Sequence, residues 1–246
     1  MKIFLFTIIL LFITLKLSAQ IVKDFNCDDF TLGIESNTKN TIEFFNKERY
    51  FELIKDSIPK SKSPIVVENK SLNEEFQKKF PNSITEHCIH SKEFSQGIVD
   101  ETSFCNNKYK IFLISKEYNF YIFKIQAFEI DDYLIFNTND KTIYSSHHYP
   151  TIINNGKLIF DIGYSYGLNS FKYYKFNNNK VDYTELSIPL QYQIKNYNIV
   201  KSFNGIKLIA ELRRYNIKET TPNKFENDKS DFCTKFINIS LSDDRN

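Results

Sequence analysis

From about Lys108 to Leu241 the chain repeats one theme: a short run dense in β-branched and aromatic residues, then a turn rich in Asn, Asp or Gly. Such runs are strands, because branched and aromatic side chains pack well on a pleated surface. They cover Tyr109–Ser115, Phe120–Phe128, Asp132–Phe136, Lys157–Ile162 and Phe171–Phe176. Val181–Leu186, Asn198–Phe203, Ile206–Leu212 and Lys235–Leu241 follow in the same style. Between them lie Asn137-Thr138-Asn139-Asp140, Asn154-Asn155-Gly156, Asn177-Asn178-Asn179 and Asn204-Gly205. Asn-Gly between two strands predicts a type I′ hairpin, whose turn residues both need positive φ. The expected fold is mainly β, with antiparallel sheets.

The strands also echo one another. Tyr133–Asn137, a turn and Thr142-Ile143-Tyr144 match Tyr173–Asn177, a turn and Val181-Asp182-Tyr183, at an offset of about 40 residues. Asn155–Ile159 likewise matches Asn204–Ile209. A 40-residue unit of four short strands is the spacing of a propeller blade. On these residues the chain resembles propeller-like exported bacterial proteins of unknown function, with WD40-type blade spacing but without the WD or kelch signature. The resemblance implies blade-like units at roughly 120–146 and 147–187 and a third from about 192. A closed propeller needs at least four blades, so the open edges would call for cover from the N-terminal segments. A plain antiparallel meander or sandwich is the alternative.

Residues 20–104 read as a small α+β region before a β-rich domain at 105–246. Asn40 is placed to cap a helix over Thr41–Lys55, on which Ile42, Phe45, Phe51 and Ile54 approximate one stripe. Ile65-Val66-Val67 reads as a short strand. Ser71 with Glu74 forms a capping box for a second helix, with Leu72, Phe76 and Phe80 on one face and Pro81 as its stop.

The first nineteen residues read as a signal peptide. Met1-Lys2 precedes an apolar run from Ile3 to Leu15, and Leu17-Ser18-Ala19 offers a small-residue cut before Gln20. That run would reach only about 20 Å as a helix, short of a bilayer's roughly 30 Å core. The residue immediately after Ala19 is Gln20 and not cysteine, so lipoprotein processing is not expected. The expected product is exported, periplasmic or secreted, and not membrane-inserted. Loss of Lys2 and Lys16 leaves 30 of the 32 basic residues against 30 acidic ones. A balance near zero argues against nucleic-acid binding, which needs a basic surplus. Four cysteines, Cys27, Cys88, Cys105 and Cys233, permit two disulfides in three possible pairings, and no C-x-x-C spacing occurs.

The chemical motifs are sparse. Gly163-Tyr164-Ser165-Tyr166-Gly167 matches the G-x-S-x-G nucleophile elbow. An elbow requires a helix afterwards and a later histidine, yet strands follow and no histidine lies beyond His148. A loop between strands is the plainer reading. His87, Cys88 and His90 are the densest soft-metal ligands, with Cys88 and His90 on one face of a strand. Zinc needs three or four convergent donors, and local spacing supplies two. His147-His148 is a second pair. Glu129, Asp131 and Asp132, like Asp28-Asp29, are acidic clusters whose neighbours point to opposite strand faces. Tyr164, Tyr166 and Tyr173 lead a tyrosine set with Tyr174, Tyr192 and Tyr197 that would suit an aromatic ligand surface. The expectation is a non-enzymatic binding or interaction module, without cofactor, for an unknown protein or small ligand. The alternatives are a hydrolase with a site assembled from distant residues, or a structural envelope-associated protein.

Overall fold

The strand–turn alternation folds as three successive antiparallel meanders. The computed structural model describes residues 30–37, 41–58, 64–165, 167–177, 180–202, 205–214 and 233–242. Leu32–Asn246 forms one compact unit, to which all the strands belong. The early strands are β1 (Gly33–Ser36), β2 (Thr41–Phe45), β3 (Ser57–Ile58), β4 (Cys88–Ser95) and β5 (Ile98–Cys105). The first meander is β6 (Lys110–Glu117), β7 (Phe120–Ala127), β8 (Ile130–Asn137) and β9 (Thr142–Ser146). The second is β10 (Thr151–Ile153), β11 (Leu158–Ser165), β12 (Leu168–Asn177) and β13 (Lys180–Ser187). The third is β14 (Tyr192–Ser202), β15 (Gly205–Arg214) and β16 (Thr234–Ser242).

The sequence echoes fall at equivalent places. One relates the β8–β9 hairpin to β12–β13, the third and fourth strands of consecutive meanders. The other relates the β10–β11 connection to β14–β15, the first and second strands. Strands from before residue 105 cover the far edges: β1 pairs with β13, β2 with β16, and β4 with β9. β3 pairs with β14 at the near edge of the third sheet. β1, β2 and β3 thereby become edges of their own sheets, and at two to five residues they are poor templates for aggregation.

β7 shows how alternation builds the core. Its Phe120 and Ile122 join Tyr133, Ile135 and Tyr144 against Ile152, Ile159 and Tyr174 of the second sheet. Its Tyr121 and Phe123 face the other way, onto helix α2 (Lys70–Lys79). There Phe76, fully buried, meets the rings of Tyr121, Phe123 and Phe136 edge-on at 5.0–5.1 Å. Such geometry adds about 0.5–1.5 kcal/mol per pair to burial itself. Helix α1 (Lys47–Leu53) covers the third sheet, with Tyr50 packed on Val200, Ile209 and Phe236.

Three expectations for the N-terminal region are corrected. Thr41–Phe45 is strand β2, and α1 begins after Asn46, whose side chain accepts from the Arg49 N–H. The apparent single stripe therefore spans two elements. The α2 cap is Asn69, which accepts from the Leu72 N–H, while Ser71 donates to the Asn69 side chain and forms no capping box. Ile65-Val66-Val67 finds no partner strand and stays irregular, with Ile65 84% exposed. Gly205 is the first residue of β15, and Asn204 lies outside the described residues. No helix among the described residues is long and apolar enough to cross a membrane.

Candidate functional site

Gly163–Ser165 of the G-x-S-x-G stretch belong to one arm of a β-hairpin. β11 runs through Ser165, which pairs with Leu168 at the start of β12, so strand–turn–strand replaces the strand–turn–helix of an elbow. Gly163 has a different purpose. A Cβ there would sit 2.6 Å from Nε2 of His148 and 2.7 Å from its Cδ2. The glycine is space for an imidazole.

That imidazole belongs to a polar cluster centred on Asp161. Asp161 of β11 is fully buried. Its carboxylate accepts the backbone N–H groups of His147 and His148 at 2.9 and 3.1 Å. It also accepts His148 Nδ1 at 3.0 Å and Ser170 Oγ at 2.6 Å. Burial pushes the Asp161 carboxyl up, but the His148, Ser170 and His147 donors more than offset it, holding the pKa below the usual aspartate value. The result is a clamp that fixes the β9–β10 turn onto β11. It is not wired for nucleophilic catalysis. A nucleophile must bond the imidazole, yet Ser170 bonds the carboxylate, and His148 Nε2 is enclosed without a hydrogen-bond partner.

The remaining motif residues are dispersed. Glu129 sits in the β7–β8 turn at positive φ. Asp131 pairs with the buried Lys124 at 2.8 Å, and Asp132 with His147 Nδ1 at 2.9 Å. Asp131 and Asp132 thus each have their own partner. Tyr173, Tyr174 and Tyr192 are core residues, whereas Tyr164 is 37% exposed. Burial, first of all, raises the Tyr197 phenol pKa. Tyr166, Asp28, Asp29 and Cys27 lie outside the described residues.

Cys88 and Cys105 face each other across β4 and β5 and form a disulfide. Cys233 is disulfide-bonded too. His90 shares the Cys88 face: its Nδ1 lies 2.9 Å from Ser103 Oγ and its Nε2 3.6 Å from Cys105 Sγ. His87 is held elsewhere, by the Tyr109 carbonyl at 2.7 Å.

A cavity of about 410 Å³ opens where the three sheets meet. Ile58 of β3, Ile152 and Ile153 of β10, and Ile206 of β15 provide aliphatic walls, with Tyr118 from the β6–β7 turn. Asn154, Ser202 and Lys201 bring the polar groups. Lys201 and Ile206 are cross-strand partners, so the ammonium and the apolar wall are set by one register. Small-ligand sites run from about 300 to 1,000 Å³ and combine apolar walls with a few placed polar groups. Nothing in the sequence marked this site, because its walls come from four segments far apart in the chain.

Compared with protein-family models, with curated proteins and with solved structures, the chain matches none.

Proposed function

We infer that the chain is an exported, non-enzymatic binding module whose ligand occupies the cavity between the three sheets. One observation carries this reading: a ligand-sized cavity with four isoleucines in its walls, several polar groups beside them and, among the described lining residues, one cationic side chain, Lys201. The ligand it suits has an apolar body and an anionic or acceptor end. The wiring of the Asp161 cluster supports binding over hydrolysis. The leader-like first nineteen residues and the Cys88–Cys105 disulfide support export. Three consecutive meanders with echoing hairpins support kinship with propeller-like proteins, with early strands in place of further blades.

Fluorescence titration with 1-anilinonaphthalene-8-sulfonate, an apolar anion, tests the reading. The expected result is saturable binding at one site. Lys201→Ala should weaken it by up to about fivefold, the scale of an exposed ion pair. Ile206→Trp, which fills the cavity, should abolish it while circular dichroism stays unchanged. Binding that ignores both substitutions would remove the cavity from consideration.

A further inference from the structure

We propose that the reduced β4–β5 hairpin is a three-ligand site for a soft metal ion, formed by Cys88 Sγ, Cys105 Sγ and His90 Nε2, with the disulfide as its closed form. The three ligand atoms lie within 4.8 Å of one another. They come together because Cys88↔Cys105 and His90↔Ser103 are alternate cross-strand pairs, which share one sheet face. A tetrahedral ion at about 2.3 Å from sulfur and 2.0–2.1 Å from nitrogen holds those two atoms about 3.5 Å apart. His90 Nε2 already stands 3.6 Å from Cys105 Sγ. The ring is held from behind, as metal-binding imidazoles are: Nδ1 lies 2.9 Å from Ser103 Oγ, and the tautomer that donates this hydrogen bond leaves the Nε2 lone pair for the ion. Both His90 and Cys105 are exposed, so solvent reaches the site and water fills the fourth position.

The chemistry balances with a dithiol as reductant. Two electrons and two protons enter the S–S bond, giving two cysteine thiols, and the dithiol leaves as its own disulfide. Metal binding then releases both thiol protons and keeps two thiolates as ligands. In the oxidised hairpin neither sulfur carries the negative charge a soft cation needs.

The test is a Co(II) titration of the full chain, oxidised or reduced with dithiothreitol and desalted anaerobically. Reduced wild type should bind one Co(II) at this hairpin, with tetrahedral ligand-field bands and thiolate charge transfer. The oxidised chain should not bind. Reduced Cys88→Ser/Cys105→Ser, which keeps Cys27 and Cys233, should lose the signal. His90→Ala keeps both cysteines and, reduced alongside wild type with circular dichroism to compare the folds, should weaken binding at least about tenfold. The same spectrum from the double serine variant, an unchanged affinity in His90→Ala, or no Co(II) bound by the reduced wild type would each overturn the proposal.

Discussion

Replacing Gly163 with alanine isolates the one position where the nucleophile-elbow reading and the clamp reading part company. Gly→Ala in a strand ordinarily gains about 0.5–1 kcal/mol through backbone entropy. At this site the new Cβ would approach His148 Nε2 to 2.6 Å, and ordinary contact begins near 3.4 Å, so the ring must retreat by 3.4 − 2.6 = 0.8 Å. The Nδ1 bond to Asp161 is 3.0 Å long and does not survive such a displacement. A hydrogen bond to a buried charge contributes about 1.5–3 kcal/mol, and overpacking costs about 1–3. The net expectation is a loss of about 3 kcal/mol, or roughly 6–12 °C in Tm for a chain of this size. Thermal and urea denaturation of Gly163→Ala, His148→Ala and the double variant close a mutant cycle. With the ring gone, the alanine methyl enters vacated space and its cost should fall to about zero, giving a coupling of about 3 kcal/mol. A cost that is the same in both backgrounds would refute the steric argument.

Three further outcomes are expected. The Asp161 pKa is depressed on folding, so the carboxylate's contribution is full above its unfolded value of about 3.9 and is lost as pH falls through the folded one. Asp161→Asn should therefore lower Tm near neutrality but flatten its decline below about pH 4. An acid limb as steep as wild type would contradict this. Cys88→Ser/Cys105→Ser removes a cross-link closing 17 residues, which is about 3 kcal/mol of chain entropy. Because β5 is exposed almost throughout, hydrogen exchange of its amides should quicken by about a hundredfold while β7 and β8 keep their protection. Equal loss of protection in all three strands would show that the hairpin is not a local unit. Mass spectrometry of the exported product should give a chain beginning at Gln20, and retention of Met1 would count against the leader.

The parts of the fold legible in the sequence are those with strong period-two contrast and conventional turns. All nine strand readings after Lys108 have a counterpart, with Phe203 alone of their residues outside the described ones, and the 40-residue echo marks equivalent hairpins. The β4–β5 hairpin escaped notice because its side chains are polar or exposed on both faces, so no alternation marks it. Its Ile98 and Val99 are exposed, Ile89 is only partly buried, and Phe94 is its one buried plug, set against Tyr144, Tyr174 and Tyr183. Thr41–Phe45 misled through propensity: a short β-branched and aromatic run matched a helical stripe until its pairing with β16 decided the matter. The site was less legible still. Asp161 and His148 stand 13 residues apart on different elements, and only the β9–β10 turn brings the imidazole over β11. The motif residues His90 and Cys88 were visible as ligands, but Cys105 and Ser103 became their neighbours only through the hairpin register.

The central claim is that the sheet junction is where a ligand sits. Isoleucine-methyl NMR during titration with 1-anilinonaphthalene-8-sulfonate reads that junction directly. The account predicts shifts at Ile58, Ile152, Ile153 and Ile206, with Ile122 and Ile135 in the core unmoved. Shifts that leave those four methyls in place and gather elsewhere on the sheets would contradict it.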